Sequence, residues 1–143
     1  MTINDWISET GTASCVISDT INNITLEGFG MAQCHPDDEP FKSELTGTYI
    51  AEARARIDIL CKKRDYDAKP ALMALKHLQS TMINSKYYNK DSYEIKRLRK
   101  EIKNKEEEII YLNDLIKEER ESLKIYLTHK NATFDELRKG KNN

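Results

Sequence analysis

The sequence predicts an α+β protein, with a small N-terminal antiparallel β core followed by helices, the last long and coiled-coil-like. Three observations support this: alternating β-branched segments before residue 34, apolar residues at helical spacing after residue 45, and a heptad pattern from residue 95. The 143 residues have room for about one structural unit. Within it we expect a β core with two packed helices (1–90), a long oligomerising helix (91–130), and a short helix with a tail (131–143).

The first two strands are predicted from residue type and period. Ala13–Asp19 has β-branched residues at its centre, and Ile24–Glu27 alternates apolar with polar side chains. Between them, Asp19–Asn23 supplies turn chemistry, because Asn tolerates positive φ.

Two glycines interrupt the second strand. Gly28 and Gly30 predict either a bulge or a close approach of another backbone. We expect the strand to resume through Met31–Cys34, and His35–Pro40 to form a rigid polar turn.

Two helices follow. The first is capped by Ser43 or Thr46 and runs to about Lys63, with an apolar face of Tyr49, Ile50, Ala53, Ile57 and Leu60. The second opens at Lys69-Pro70, because proline suits a first helical turn. It ends near Ser85 and places on one face Ala71, Leu72, Leu75, Leu78 and Met82.

The third helix carries a stripe at steps of three and four residues, Ile95, Leu98, Ile102, Lys105, Ile109, Leu112, Ile116, Glu119, Leu123 and Tyr126. In a parallel pair each charged member would face its own copy, so we favour antiparallel pairing. Leaving the apolar members in water would be costly, which predicts an obligate oligomer. Thr133–Glu136 matches a capping box for a short final helix.

Charge is unevenly distributed along the chain. Residues 1–44 have a net charge of −7 and residues 45–143 a net charge of +6. This asymmetry favours contact between the halves or between subunits. The near-neutral pI of about 6.3 argues against a dedicated binder of long nucleic acid.

The cysteines and the N-terminus bear on the location of the protein. Three cysteines without a CxxC spacing fit a reducing cytosol. The N-terminus does not resemble a signal peptide and no window is apolar enough for a membrane span, so we expect a soluble intracellular protein.

Several chemistries lack the residues they need. A structural zinc site needs four matched ligands, and Cys34-His35 with Cys15 has no second pair. His35 beside Asp37 and Asp38 is better explained by turn chemistry than by acid–base catalysis. Phosphate-binding glycine motifs are also missing. We therefore expect no metal, no cofactor and no catalytic residue, and a protein that is not an enzyme.

Two polar clusters remain open to two interpretations. Arg54 and Arg56 are either a solvent-exposed helix face or phosphate ligands, because guanidinium groups match phosphate oxygens. Tyr87, Tyr88 and the polar residues around them either pack a helix junction or stack on bases.

The segments Gly28–Cys34, His35-Pro-Asp-Asp38 and Ala51-Glu-Ala-Arg-Ala-Arg56, followed by long helices, resemble the phage Thoeris anti-defence proteins of the first described type. The same pattern is similar to short phage proteins whose ββ-α domain is likened to the double-stranded-RNA-binding fold. The resemblance implies a homo-oligomer that binds a cyclic ADP-ribose isomer, and in some members cyclic trinucleotides, between subunits. It implies sequestration of the signal without cleavage, in the cytoplasm of the infected bacterial host.

From local chemistry we assign phosphate binding to arginines, adenine stacking to aromatic residues and a polar edge to an asparagine. The predicted ligand residues are Phe29, Arg54, Arg56, Tyr87, Tyr88, Asn89, Arg97 and Arg99. One alternative is a coiled-coil adaptor protein of phage origin without a small-molecule ligand. Binding of double-stranded RNA is disfavoured by the acidic N-terminal half, since phosphate contacts need a basic face.

Overall fold

The computed structural model describes residues 1–33, 44–85 and 92–142, and the side chains of all of these except 44, 45 and 132–142. Three strands come first and helices follow, which confirms the predicted α+β class. The elements are β1 (Thr2–Ile7), β2 (Ala13–Ile21), β3 (Ile24–Ala32), α1 (Glu44–Lys62), a π-helical segment (Lys63–Ala68), α2 (Lys69–Ile83) and α3 (Tyr93–Asn142).

The strands form an antiparallel sheet in the order β1-β2-β3. The edge strand β1 was not among the predicted strands, because Asn4 and Asp5 are residue types that are depleted in strands. It pairs with β2 from Thr2 opposite Ser18 to Ile7 opposite Ala13. The sheet therefore begins at the second residue of the chain.

The β2–β3 hairpin turns through Asn22 and Asn23. Both have positive φ, 51° and 65°, as a two-residue type I′ turn requires, which confirms the turn predicted here. Pairing then runs without a break from Ile21 opposite Ile24 to Ala13 opposite Ala32. An unbroken register leaves no room for a bulge at the glycines of β3.

The two glycines of β3 instead allow α1 to pack directly on the sheet. A Cβ atom on Gly30 would overlap the Ala51 carbonyl oxygen, and one on Gly28 would lie 2.6 Å from Ile59 Cβ. Ala51 and Ala55 are fully buried at this contact. Of the two predictions for the glycines, close backbone approach is therefore the one confirmed.

The chain divides into two compact units. One, the sheet unit, comprises Met1–Leu60 and Ile116–Asn143. Its core contains Ala13, Cys15, Ile17, Ala32, Ile50, Ala51, Ala55 and Ile59, with Leu123, Tyr126 and Leu127 packed against it. Each large aliphatic side chain in such a core contributes roughly 1.5–3 kcal/mol.

Within the sheet unit, α1 and the second half of α3 lie side by side and antiparallel. The Tyr49 and Tyr126 ring centroids are 4.3 Å apart. Arg56 Nε lies 3.3 Å from Glu119 Oε1. Residue numbers thus rise along one helix as they fall along the other.

The other unit, the helical unit, comprises Cys61–Leu115. Its helices also pair antiparallel, because Arg64 Nη1 donates to Asn113 Oδ1 at 2.9 Å and Lys76 Nζ lies 3.5 Å from Glu106 Oε1. The predicted break between the first two helices is a π-helical segment with helical backbone at both ends. Pro70 lies in the first turn of α2, as predicted.

The heptad stripe of α3 is buried within this one chain. The exposed fractions of its most buried members are 0% for Ile95, 7% for Leu98, 8% for Ile102, 7% for Leu112 and 2% for Ile116. An oligomer was predicted because most of this stripe would otherwise be left in water, and that premise is wrong. The oligomeric state itself stays a prediction.

The charged stripe members find opposite charges. Glu119 pairs with Arg56 across the antiparallel helices, and Lys105 Nζ lies 2.8 Å from Glu108 Oε2. The Lys105 pair lies within α3 itself, whereas the Glu119 pair is of the antiparallel kind that we had expected between chains.

Three helix boundaries differ from the predictions. Thr46 lies inside α1 and cannot be its cap, since the helix begins by Glu44. α2 ends at Ile83, two residues early. α3 continues to Asn142, so no separate helix begins at Thr133. Cys34, the His35–Pro40 turn and the Ser43 cap lie outside the described residues. In the described part of the chain, no helix has the length and apolar character of a membrane span.

Candidate functional site

Two of the predicted ligand residues take part in hydrogen bonds between β3 and α1. The Phe29 backbone N–H donates to Asp58 Oδ2 at 2.8 Å, and Arg54 Nη1 donates to the Met31 carbonyl oxygen at 2.6 Å. Both helix side chains come from α1, which the glycines of β3 bring close enough to reach the strand. Groups that would otherwise pair with another strand are thus occupied.

The face of the sheet away from α1 carries large apolar side chains. Cross-strand pairing places Trp6, Ser14 and Met31 in one row, and Asn4, Val16 and Phe29 in the next. The exposed fractions are 48% for Trp6, 46% for Phe29 and 44% for Met31. The face therefore presents two aromatic rings and a thioether to solvent.

Arg54 adds a positive charge at the border of this face. Its side chain is exposed, and its guanidinium has five N–H donors, of which the contact with Met31 engages one nitrogen. With respect to the residues that the structure describes, donors therefore remain for an anion. A flat apolar surface beside a guanidinium group is suited to a base with an attached phosphate.

Arg56 has a different environment from Arg54. Its Nε lies 3.3 Å from each carboxylate oxygen of Glu119, and its Nη1 lies 3.9 Å from Glu52 Oε2. Two carboxylates thus compensate its charge. The structure consequently does not bring the two arginines together as one clamp.

A carboxyl pair lies beside this ion pair, at the contact of β1 with α1. The Asp5 carboxyl is hydrogen-bonded to Glu52, and together with burial it raises the pKa of Glu52, while the charge of Arg56 opposes the shift. Burial and the neighbouring Asp5 raise the pKa of the Cys15 thiol to about 12. Cys15 is therefore a protonated, fully buried thiol at neutral pH.

The remaining predicted residues lie elsewhere. Arg97 and Arg99 belong to α3 in the helical unit, where Arg97 Nε donates to Glu101 Oε1 at 3.2 Å. Arg99 is exposed. Tyr87, Tyr88 and Asn89 lie outside the described residues.

Sequence reasoning missed Trp6 and Met31. Trp6 was missed because β1 was missed, since Thr2–Ile7 does not alternate regularly between apolar and polar side chains. Met31 was placed on a strand, but nothing in the sequence said which face would be left uncovered.

Among the side chains that the structure describes, no three His, Cys, Asp or Glu residues converge as a metal site. Comparisons with protein-family models, curated proteins and solved structures find no match for this chain.

Proposed function

We propose that this protein binds a cyclic ADP-ribose isomer and sequesters it without cleaving it, which would block Thoeris immunity in the cytoplasm of the infected bacterial host. The observation that carries the proposal is the position of Phe29 and Arg54. Phe29 presents an exposed ring on β3, and the exposed Arg54 guanidinium donates to the Met31 carbonyl oxygen of the same strand. Sequence chemistry assigned these two groups to adenine and phosphate.

The chemistry of the ligand matches these two groups. Base–aromatic stacking contributes roughly 1–3 kcal/mol per base. A charge-assisted hydrogen bond from a guanidinium to a phosphate contributes roughly 1.5–3 kcal/mol. A cyclic dinucleotide-like molecule carries both a base and a pyrophosphate within a short distance, so it can engage both groups at once. Cyclic trinucleotides carry bases and phosphodiester groups, and are further candidate ligands.

Sequestration without cleavage also fits the residues at the site. Neither a phenyl ring nor a guanidinium serves as a nucleophile or general base at neutral pH. The Cys15 thiol is buried, and its raised pKa keeps it protonated. Binding is then the whole activity, and the protein acts in stoichiometric amounts.

We further propose that a second copy completes the site, as a homo-oligomer of two or more chains. The open sheet face supplies a base platform and one cation, whereas a pyrophosphate has two charged groups to satisfy. Burial between subunits would strengthen the charge-assisted bonds because water is excluded.

Depletion followed by release tests the proposed function. The protein is mixed with a cyclic ADP-ribose isomer, separated by ultrafiltration and then heat-denatured, and both fractions are analysed by mass spectrometry. We expect depletion of the ligand from the filtrate and recovery of the intact cyclic molecule. An undepleted filtrate contradicts binding, and a linear product contradicts sequestration.

A second candidate function, a protein–protein adaptor, is favoured by the outermost strand. Every residue of β1 is exposed, including Ile3, Trp6 and Ile7, and an exposed edge strand can pair with a strand of another protein. A pull-down from phage-infected cells, treated with nuclease, tests this function. A stoichiometric partner protein would support it, and recovery of the chain alone would contradict it.

A further inference from the structure

Side-chain size differs between the outer strands and the central strand on the open face of the sheet. We define the base trough as Trp6 on β1, Ser14 and Val16 on β2, and Phe29 and Met31 on β3. The large side chains stand on the two outer strands, and the small ones line the central strand. Two walls therefore flank a low floor.

The spacing of the walls suits one flat ring. Neighbouring strands lie about 4.8 Å apart, so β1 and β3 are separated by about 10 Å across β2. A ring standing over β2 would lie about 5 Å from each wall. Aromatic pairs occur at centroid separations of roughly 4.5–7 Å, so contact with both walls is feasible.

The floor holds a polar group that needs a partner. Ser14 is only 7% exposed, and its direct cross-strand neighbours are Trp6 and Met31. Among the residues that the structure describes, its hydroxyl has no hydrogen-bond partner. A buried hydroxyl without a partner is destabilising, and it can both donate to and accept from the edge of a nucleobase.

We infer that the base trough holds the adenine ring of the ligand, between Trp6 on one wall and Phe29 with Met31 on the other, with the Ser14 hydroxyl bonded to the edge of the base. Arg54, at the β3 edge, lies on the side from which the phosphates leave the ring. The inference deepens the proposed function and depends on it. The ligand of this face is therefore a planar heterocycle with an anionic substituent, not an aliphatic molecule.

Trp6 makes the test direct, because it is the only tryptophan of the chain, 1 in 143 residues. Its fluorescence is recorded during titration with cyclic ADP-ribose, with AMP, and with ribose 5-phosphate, which lacks the base. Calorimetry measures the affinity independently. We expect saturable quenching with the first two probes and an unchanged spectrum with the third.

Three variants separate stacking from folding. Trp6→Ala should weaken binding of cyclic ADP-ribose about ten- to a hundredfold, whereas Trp6→Phe, which keeps a ring, should lose only a few-fold. Ser14→Ala should weaken binding several-fold while quenching persists. Circular dichroism checks that each variant keeps its sheet.

The outcomes distinguish this inference from the proposed function. Calorimetric binding of cyclic ADP-ribose with an unchanged Trp6 spectrum, and with Trp6→Ala binding like the wild type, overturns the trough and leaves the proposed function intact. Quenching by AMP without binding of cyclic ADP-ribose keeps the trough as a base platform and overturns the proposed function. Absence of binding by both probes overturns both.

Discussion

Gly30 decides how closely α1 can approach the sheet. A methyl group there would meet the Ala51 carbonyl oxygen and the Ala55 amide nitrogen, both of which belong to the rigid helix backbone. The helix–strand contact that places Arg54 at the strand edge therefore requires a residue without a side chain at position 30. Glycine normally weakens a strand, so its presence here reflects packing rather than strand propensity.

We expect Gly30→Ala to lower the free energy of unfolding by about 1–3 kcal/mol, because overpacking against the backbone outweighs the gain in strand propensity. Urea unfolding monitored by Trp6 fluorescence measures the free energy of unfolding of the wild type and the variant. Gly47→Ala is the matched control, since its new methyl group meets a side chain, Ala13 Cβ at 3.2 Å, which need shift only a few tenths of an ångström, and the helix gains propensity. Equal stabilities of the two variants would contradict the close approach.

The two arginines of α1 provide a second comparison. Arg54→Ala should weaken binding of a cyclic ADP-ribose isomer by about 1.5–3 kcal/mol, because a charge-assisted bond to phosphate is lost. Arg56→Ala should leave the affinity nearly unchanged, since Arg56 is engaged by Glu119 and Glu52. Calorimetry on both variants measures the difference. A larger loss with Arg56→Ala would move the phosphate site to that residue.

Glu52 provides a prediction about pH. Its pKa is raised in the folded protein by the hydrogen bond with Asp5 and by burial, so folding favours the protonated form. The resulting stabilisation is complete below the unfolded pKa of about 4.3 and is lost as the pH rises through the raised folded value. Asp5, Cys15 and Arg56 are the charged or titratable groups that act on it.

We therefore expect the wild type to lose stability relative to Glu52→Gln as the pH rises from about 4 towards neutrality. The glutamine keeps a hydrogen-bonding side chain without acquiring a charge. Urea unfolding of both proteins across this range measures the difference. A stability difference that is constant with pH would show that the carboxyl pair does not hold an extra proton.

Among the elements, α1 is buried on more than one side. Ala51, Ala55 and Ile59 pack at steps of four residues in the core under the sheet, while Arg56 faces α3. The sequence analysis found the apolar residues Ile50 and Ala53 but missed the small-residue stripe that faces the glycines. Alanine is common in any helix, so the alanines of α1 predict close packing only when they are considered together with Gly28 and Gly30.

The antiparallel pairing of α1 and α3 has its own test. In a double-mutant cycle of Arg56→Ala and Glu119→Ala, we expect a coupling energy of up to about 1 kcal/mol, the range for half-exposed ion pairs. Chemical unfolding of the four proteins measures it. A coupling near zero together with unchanged single variants would show that the pair does not hold the helices in register.

How far the sequence predicts each element depends on how local the signal is. The hairpin turn at Asn22-Asn23 and the heptad stripe of α3 were predicted because turn chemistry and helical period are local properties. The partner of the stripe was misjudged, because a single sequence does not say whether a helix pairs with its own chain or with another. At the site, Phe29 and Arg54 were predicted as ligand residues. Trp6 was not, because the strand that carries it contains Asn4 and Asp5, which do not predict a strand.

At the scale of the whole molecule, burial of the α3 stripe changes the reason for expecting an oligomer. Self-association is no longer needed to shield Ile95, Ile102 or Ile116, since each is buried in one chain. The sheet face and the β1 edge, both in the sheet unit, are exposed and could bind a second copy. An oligomer formed through them would be coupled to the ligand site rather than to the helical stripe.

Native mass spectrometry with a cyclic ADP-ribose isomer tests the central claim most directly, because it reports bound ligand, its intactness and the number of chains together. We expect a mass increase equal to the unmodified cyclic ligand, at a fixed ratio to the chains of a homo-oligomer, and its loss in Arg54→Ala. A complex without added mass, or one carrying the ligand plus one water from hydrolysis, would contradict binding and sequestration respectively.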